Sequence, residues 1–147
     1  MNSALAMAGL ALRAGKLEPG EDPAGDACRE KRCRLLLTAA DAAENTRGKA
    51  ERFAELGRCL TLELPYTKAE LGAALGRGSC AVAAVTDLGL ALAIVEKLGD
   101  PERYGGTAEK LRLKARRAAQ RKEKNPGAPG RKRTAGRTVQ YNRKNKK

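Results

Sequence analysis

Three six-residue apolar runs punctuate the first hundred residues: Cys33 to Thr38 (CRLLLT), Cys59 to Leu64 (CLTLEL) and Cys80 to Val85 (CAVAAV). Each is too short for an ordinary helix. Their Leu, Val and Thr content, and the alternation in the second run, read as buried or half-buried strands. Between them lie segments with helical start and stop signals. Ser3 to Ala14 sets Leu5, Ala8, Gly9 and Leu12 on one face and stops at Gly15. Asp22 is an N-cap candidate with Pro23 at the first helical position, opening a helix to about Lys31. Asn45 or Thr46 caps a further helix through Phe53 and Leu56, ended by Gly57. Thr67 and Glu70 form a capping box for a helix closing at Gly76. Asp87 caps the next, with Leu88, Leu92, Val95 and Leu98 ending at Gly99. Strands alternating with helices predict one layered α/β domain over residues 1–100.

The net charge of +13 over 147 residues points to a polyanionic partner, but it is not spread evenly. Residues 1–100 hold 13 Lys and Arg against 14 Asp and Glu, a charge of −1; residues 101–147 hold 17 against 3, a charge of +14. The basicity therefore belongs to a C-terminal tail. Pro101 to Gly106 reads as a linker. Thr107 to Lys124 reads as a helix, with Leu111, Ala115, Ala118 and Ala119 along one stripe and Arg112, Arg116, Arg117 and Arg121 around it. Asn125 to Gly130 (NPGAPG) breaks that helix, and residues beyond it carry no apolar pattern and read as disordered. These four arginines, together with Arg131, Lys132 and Arg133, are candidate phosphate contacts, which anchor without reading sequence. The plainer alternative is a solubilising charged surface.

Several functions are disfavoured by composition. With no His, neither a Ser-His-Asp nor a Cys-His dyad is possible, and the expectation is a non-enzymatic protein without a cofactor. Only Phe53, Tyr66, Tyr104 and Tyr141 are aromatic, too few for a sheet that stacks several bases. The apolar run Ala4 to Leu12 is nine residues long, short of a membrane span, and no Lys or Arg precedes it as in a secretion signal. A cytoplasmic, monomeric protein with no membrane partner is expected. Gly76 to Ser79 (GRGS) follows a helix and precedes a strand, the reverse of a phosphate-binding Walker loop, and reads as a tight turn. Glu21 and Asp22 are adjacent carboxylates that also complement a helix dipole. Four cysteines at 28, 33, 59 and 80 could pair on number alone, but Cys33, Cys59 and Cys80 each open an apolar run, so core thiols are expected; a four-cysteine zinc site is the further alternative, although no CxxC pair exists.

Four strings carry a family resemblance. Leu12 to Leu17 (LRAGKL), followed by Gly20 and Glu21, resembles the LRAGKLVSGEE segment of the kink-turn-binding ribosomal-protein superfamily. This is the L-seven-Ae/L-thirty-e group, and the similarity is to its bacterial YlxQ-like branch. Asp41 to Thr46 (DAAENT), Glu70 to Gly76 (ELGAALG) and Val82 to Gly89 (VAAVTDLG) agree in order and spacing, so the resemblance spans about residues 3–98. It implies a compact α-β-α sandwich of about four short strands and four to five helices. It also implies RNA contact through the loop entering the second helix (Gly20, Glu21, Asp22) and the loop before the last strand (Arg77, Gly78, Ser79, Cys80). The family's lysine one turn into the second helix falls on Asp26, and its guanine-reading glutamate falls on Pro23. Lys16, Lys31, Arg32 and Arg34 are further candidate cations. The reading is of a non-enzymatic RNA-binding ribosomal or ribosome-associated protein. It would dock on kink-turn-like RNA, with ribosomal or translation proteins as further partners. The alternative is a protein-interaction module of the same fold whose tail supplies only non-specific RNA association. A third reading, the recognition domain of an RNA 2′-O-methyltransferase, lacks the chain length for a catalytic domain.

Overall fold

Leu35, Leu36 and Leu37 are consecutive and all buried, which a strand achieves only when both of its faces are covered. The computed structural model of the chain, which describes residues 3–124, puts them in the middle of a sheet. In chain order the elements are α1 (Ser3–Arg13), β1 (Leu17–Pro19), α2 (Glu21–Arg29), β2 (Leu35–Thr38), α3 (Glu44–Gly57), β3 (Leu60–Glu63), α4 (Lys68–Ala74), β4 (Val82–Val85), α5 (Leu88–Leu98) and α6 (Pro101–Lys124). The strands lie in the order β1-β4-β2-β3. β4 runs antiparallel to both β1 and β2, while β3 runs parallel to β2.

The period of two along each strand distributes side chains to two cores. Leu35, Leu37, Ala83 and Val85 join a cluster with Ala8 and Ala11 of α1, Leu71 of α4, and Ala91, Ile94 and Val95 of α5. Leu36, Val82 and Ala84 point the other way, into a cluster with Ala24, Ala27 and Cys28 of α2 and Ala50 and Ala54 of α3. Helices thus cover both faces, and the chain is the α-β-α sandwich that its resemblance implied. No helix among the described residues is long and apolar enough to cross a membrane.

Some local expectations are corrected. β1 is a strand additional to the three apolar runs: it is three residues long and contains Pro19, which is tolerated because β1 lies at the sheet edge. α2 starts one residue before the expected cap, with Gly20 at the N-cap and Asp22 inside the first turn. α3 starts at Glu44 after Ala43, with no side-chain cap from Asn45 or Thr46. The loop entering it is held instead by Arg47, whose guanidinium donates to the carbonyls of Ala42 (3.0 Å) and Ala40 (2.5 Å) and pairs with Glu63. The Thr67–Glu70 capping box and the Asp87 cap form as expected.

The largest correction concerns residues 101–106, which are helix rather than linker. Gly105 and Gly106 weaken a helix locally, but Tyr104, Ala108 and Leu111 recur at helical spacing and all join the buried cluster that includes Leu62 of β3 and Val95 of α5. Tyr104 also donates its hydroxyl to the Glu63 carbonyl at 3.1 Å. The first compact unit accordingly runs through Lys114, past the boundary at residue 100 suggested by charge, and a second unit begins at Ala115. The expected disorder beyond the helix, and the candidate contacts Arg131, Lys132 and Arg133, lie outside the described residues.

Leu111 has no exposed surface, whereas Leu113 is 39% exposed. Leu111→Ala is expected to destabilise the protein by about 2–5 kcal/mol in urea unfolding, and Leu113→Ala to change it by no more than about 0.5 kcal/mol. Equal effects would exclude residues 101–114 from the sandwich core.

Candidate nucleic-acid interface

The antiparallel pairing of β1 with β4 sets Pro19 opposite Ala83, so the chain leaving β1 meets the chain entering β4. Gly20 continues this pairing by donating its N–H to the Val82 carbonyl at 2.8 Å. It does so at φ 101°, a backbone conformation that a side chain rarely adopts, and α2 turns upward from that residue. The start of α2 and the α4–β4 loop therefore sit side by side at one end of the sheet, although the sequence separates them by more than fifty residues.

Each loop is held from behind. A Cβ on Gly72 would come within 2.5 Å of the Ser79 Cα, so the backbone of the α4–β4 loop lies directly on α4. The Cys80 amide donates to the Lys68 carbonyl at 2.9 Å, and its buried thiol reaches the Val82 carbonyl at 3.2 Å. Burial pushes the Cys80 thiol pKa up. Cys80 is thus a wall of the loop, and Arg77, Gly78 and Ser79 form its exposed rim.

At the helix terminus, Pro23 has no N–H, so the outward donors of the first turn are those of Glu21 and Asp22. Asp22 is exposed. Glu21 is turned aside: its carboxylate accepts from Lys49 Nζ at 3.0 Å and from Thr46 Oγ1 at 3.1 Å, both on α3. Those hydrogen bonds, Lys49 first and Thr46 second, hold the Glu21 carboxyl below its ordinary range. Lys49 is a cation at this end of the molecule that sequence reasoning missed, since only the packing of α3 on α2 brings it there. Asp26, one turn on, is exposed and pairs with Arg29 at 3.0 Å.

The other candidate cations are elsewhere. Lys31 and Arg32 follow the C-terminal end of α2, nine residues or about 13 Å along the helix from Gly20. Lys31 donates its amine to the Leu56 carbonyl at the end of α3. Arg32 pairs with Glu30 at 2.7 Å and Glu18 at 3.6 Å. Lys16, exposed, immediately precedes β1 at the end of the sheet opposite Gly20, where its carbonyl accepts from Thr86. Arg34 is exposed there too, just before β2. On α6, Arg112 is bound to Glu109 (3.1 Å) and Glu96 (3.3 Å). In the second unit, Arg116, Arg117 and Arg121 are exposed.

The cysteines divide in the same way. Cys28, Cys33 and Cys59 converge, with every sulfur within 4.8 Å of the others, so no four-cysteine site forms: Cys80 belongs to the opposite core. Burial pushes Cys28 up to about 11. Cys33 is held protonated chiefly by its hydrogen bond to Cys59, and that same bond draws Cys59 down to about 7.

A three-layer sandwich that joins the N-terminus of its second helix to the loop before its last strand has the architecture of the kink-turn-binding ribosomal-protein superfamily. A structure of a protein with unknown function from Bacillus halodurans C superposes with TM-score 0.60 at 23% identity, covering 67% of this chain and 98% of that one. The Giardia lamblia 15.5kD RNA binding protein superposes with TM-score 0.53 at 18% identity, covering 73% and 85%. No family model matches the chain. The RNA-binding protein YlxQ of Bacillus subtilis (strain 168) is 36% identical over 94 residues, which cover 61% of this chain and 89% of that protein. The chain belongs to the YlxQ branch of the superfamily.

Because its folded-state pKa lies below the unfolded value of 4.5, Glu21 stabilises the fold above that pH and loses the contribution as pH falls through the folded value. Glu21→Gln is therefore expected to lower stability at about pH 7 and to match the parent at about pH 2–3, measured by urea unfolding. A pH-independent difference would exclude the ion pair with Lys49 as its source.

Proposed function

We propose that the protein is a non-enzymatic RNA-binding protein that docks kink-turn-like structured RNA on the end of the sandwich formed by the α2 terminus and the α4–β4 loop. The carrying observation is the Gly20 N–H bond to the Val82 carbonyl, which holds both segments in one surface. Backbone N–H groups at a helix terminus suit phosphate oxygens, and Gly20 lets an RNA backbone approach closely. Arg77 adds a side-chain cation on the adjoining rim, with Gly78 and Ser79 leaving room for an extruded nucleotide. Lys49 offsets the charge of Glu21 and Arg29 that of Asp26, so Asp22 is the acidic group left facing the ligand. The names of the YlxQ and 15.5kD relatives, both called RNA-binding proteins, agree with this reading.

The basic residues after Lys114 supply a second, sequence-independent contact. Arg116, Arg117 and Arg121 engage phosphates, as do Arg131, Lys132 and Arg133, and each contact releases counterions. Such a protein works on ribosomal RNA or on a ribosome-associated complex in the cytoplasm. Lys16, Lys31 and Arg32 lie at the wrong end of α2 and β1 to share the kink-turn contact.

The full chain is expected to bind a kink-turn RNA more tightly than a straight duplex of equal length across a salt series. Arg77→Ala should weaken kink-turn binding and reduce the salt slope by about 0.7–0.9, the share of one phosphate. Asp26→Lys should strengthen it, and the double variant Lys31→Ala, Arg32→Ala should leave the preference intact. Loss of preference only in the double variant would move the interface to the other end of the sheet. No preference in the full chain would leave the protein-interaction reading.

A further inference from the structure

We propose that Cys28, Cys33 and Cys59 form a zinc site, with three thiolates from the protein and a fourth position open to solvent. The three come from separate segments: Cys28 from the last turn of α2, Cys33 from the loop entering β2, and Cys59 from the residue before β3. Their sulfurs all lie within 4.8 Å of one another, and those of Cys28 and Cys59 are 4.0 Å apart. Thiolates bound to zinc at about 2.3 Å in tetrahedral array stand about 3.8 Å apart. The ion therefore requires sulfur movements of well under an ångström from the positions already occupied.

The backbone around the cluster enforces the convergence. Arg32 and Cys33 both donate their amides to the Ala27 carbonyl, at 2.9 and 3.3 Å, folding the chain back under the end of α2. Arg58 adopts the left-handed conformation at φ 54°, and the Cys59 amide returns to the Ala54 carbonyl at 3.1 Å. A Cβ on Gly57 would stand 3.0–3.1 Å from the Cys28 carbonyl oxygen, Cα and Cβ. Any side chain there would force the junction apart by a few tenths of an ångström, so Gly57 lets the end of α3 rest closely on Cys28. Lys31 fastens the same junction by donating to the Leu56 carbonyl.

The surroundings fit a metal rather than three idle core thiols. Zinc with three thiolates leaves one negative charge, and the side chains of Arg29 and Lys114 act electrostatically on Cys28 and Cys59. Cys28 and Cys33 are buried, but Cys59 opens on a cleft of about 620 Å³ that Glu55, Arg52 and Lys110 also line. That cleft is the entry path and the place for a water molecule as fourth ligand. Binding displaces the thiol protons to solvent and changes no oxidation state, so it needs no further reactant. The site would pin the ends of α2 and α3 at the side of the sheet remote from Gly20.

The test uses the full chain, reduced and freed of metal, titrated with Zn²⁺ in competition with a chromophoric chelator. One ion per chain and a rise in melting temperature are expected. Co²⁺ in place of Zn²⁺ should give the intense sulfur-to-cobalt charge-transfer bands of a tetrahedral thiolate site. Cys59→Ser, at a half-exposed position, should weaken zinc binding by more than the roughly 10–100-fold that loss of an outer-shell partner costs. Cys80→Ser should bind as the parent does. Failure of the reduced parent chain to bind stoichiometric zinc would overturn the site, as would unchanged affinity in Cys59→Ser.

Discussion

The two-sided burial of β2 and β4 is the constraint from which the remaining architecture follows. Both strands are buried at every residue, and they pair with each other in the centre of the sheet. Such strands stabilise the fold only if each face meets a helical layer, so α1, α4 and α5 must lie on one side and α2 and α3 on the other. Once β4 is central, β1 pairs with its free side, and that pairing carries Gly20 to Val82. The candidate RNA surface is thus a consequence of sheet order, not of any attraction between the two loops that form it.

Features set by neighbouring residues were legible in the sequence; features set by contacts across the fold were not. The three apolar runs, the Thr67–Glu70 box and the Asp87 cap depend on residues within a few positions, and all appear, the strands being shorter than the runs that contain them. β1 has one buried leucine and a proline in three residues, too little pattern to recognise without its partner strand. The start of α3 lacks a side-chain cap because Arg47 organises the preceding loop from within the helix. The extent of the sandwich does not follow the charge boundary: basicity rises abruptly after residue 100, while the helical spacing of Tyr104, Ala108 and Leu111 carries the core past it.

The candidate site divides along similar lines. The resemblance implied contact loops at Gly20, Glu21 and Asp22 and at Arg77 to Ser79, and the β1–β4 pairing sets those two loops side by side. The nearby cations are not all beside Gly20, because nearness in sequence says nothing about which end of α2 a residue occupies. Lys31 and Arg32 serve the far end, where they bind backbone and acidic partners. Lys49 does stand near the α2 terminus, yet it is 28 positions from Glu21 and no local pattern announces it. The convergence of three cysteines without a CxxC pair has the same origin: separate backbone turns bring together what sequence spacing leaves apart.

Strand β3 ends the sheet on the side away from β1, and no further strand among the described residues pairs with its outer edge. An open edge of this kind is a template on which another chain can add a strand. Tyr104 engages the carbonyl of Glu63 at the end of that edge, while Arg103 and Arg47 both hold the Glu63 side chain. A bulky, charged guard therefore stands where an incoming strand would begin to align. The first turns of α6 therefore cover the end of that edge, so a segment that reads as the root of a nucleic-acid anchor also closes the sheet it grows from.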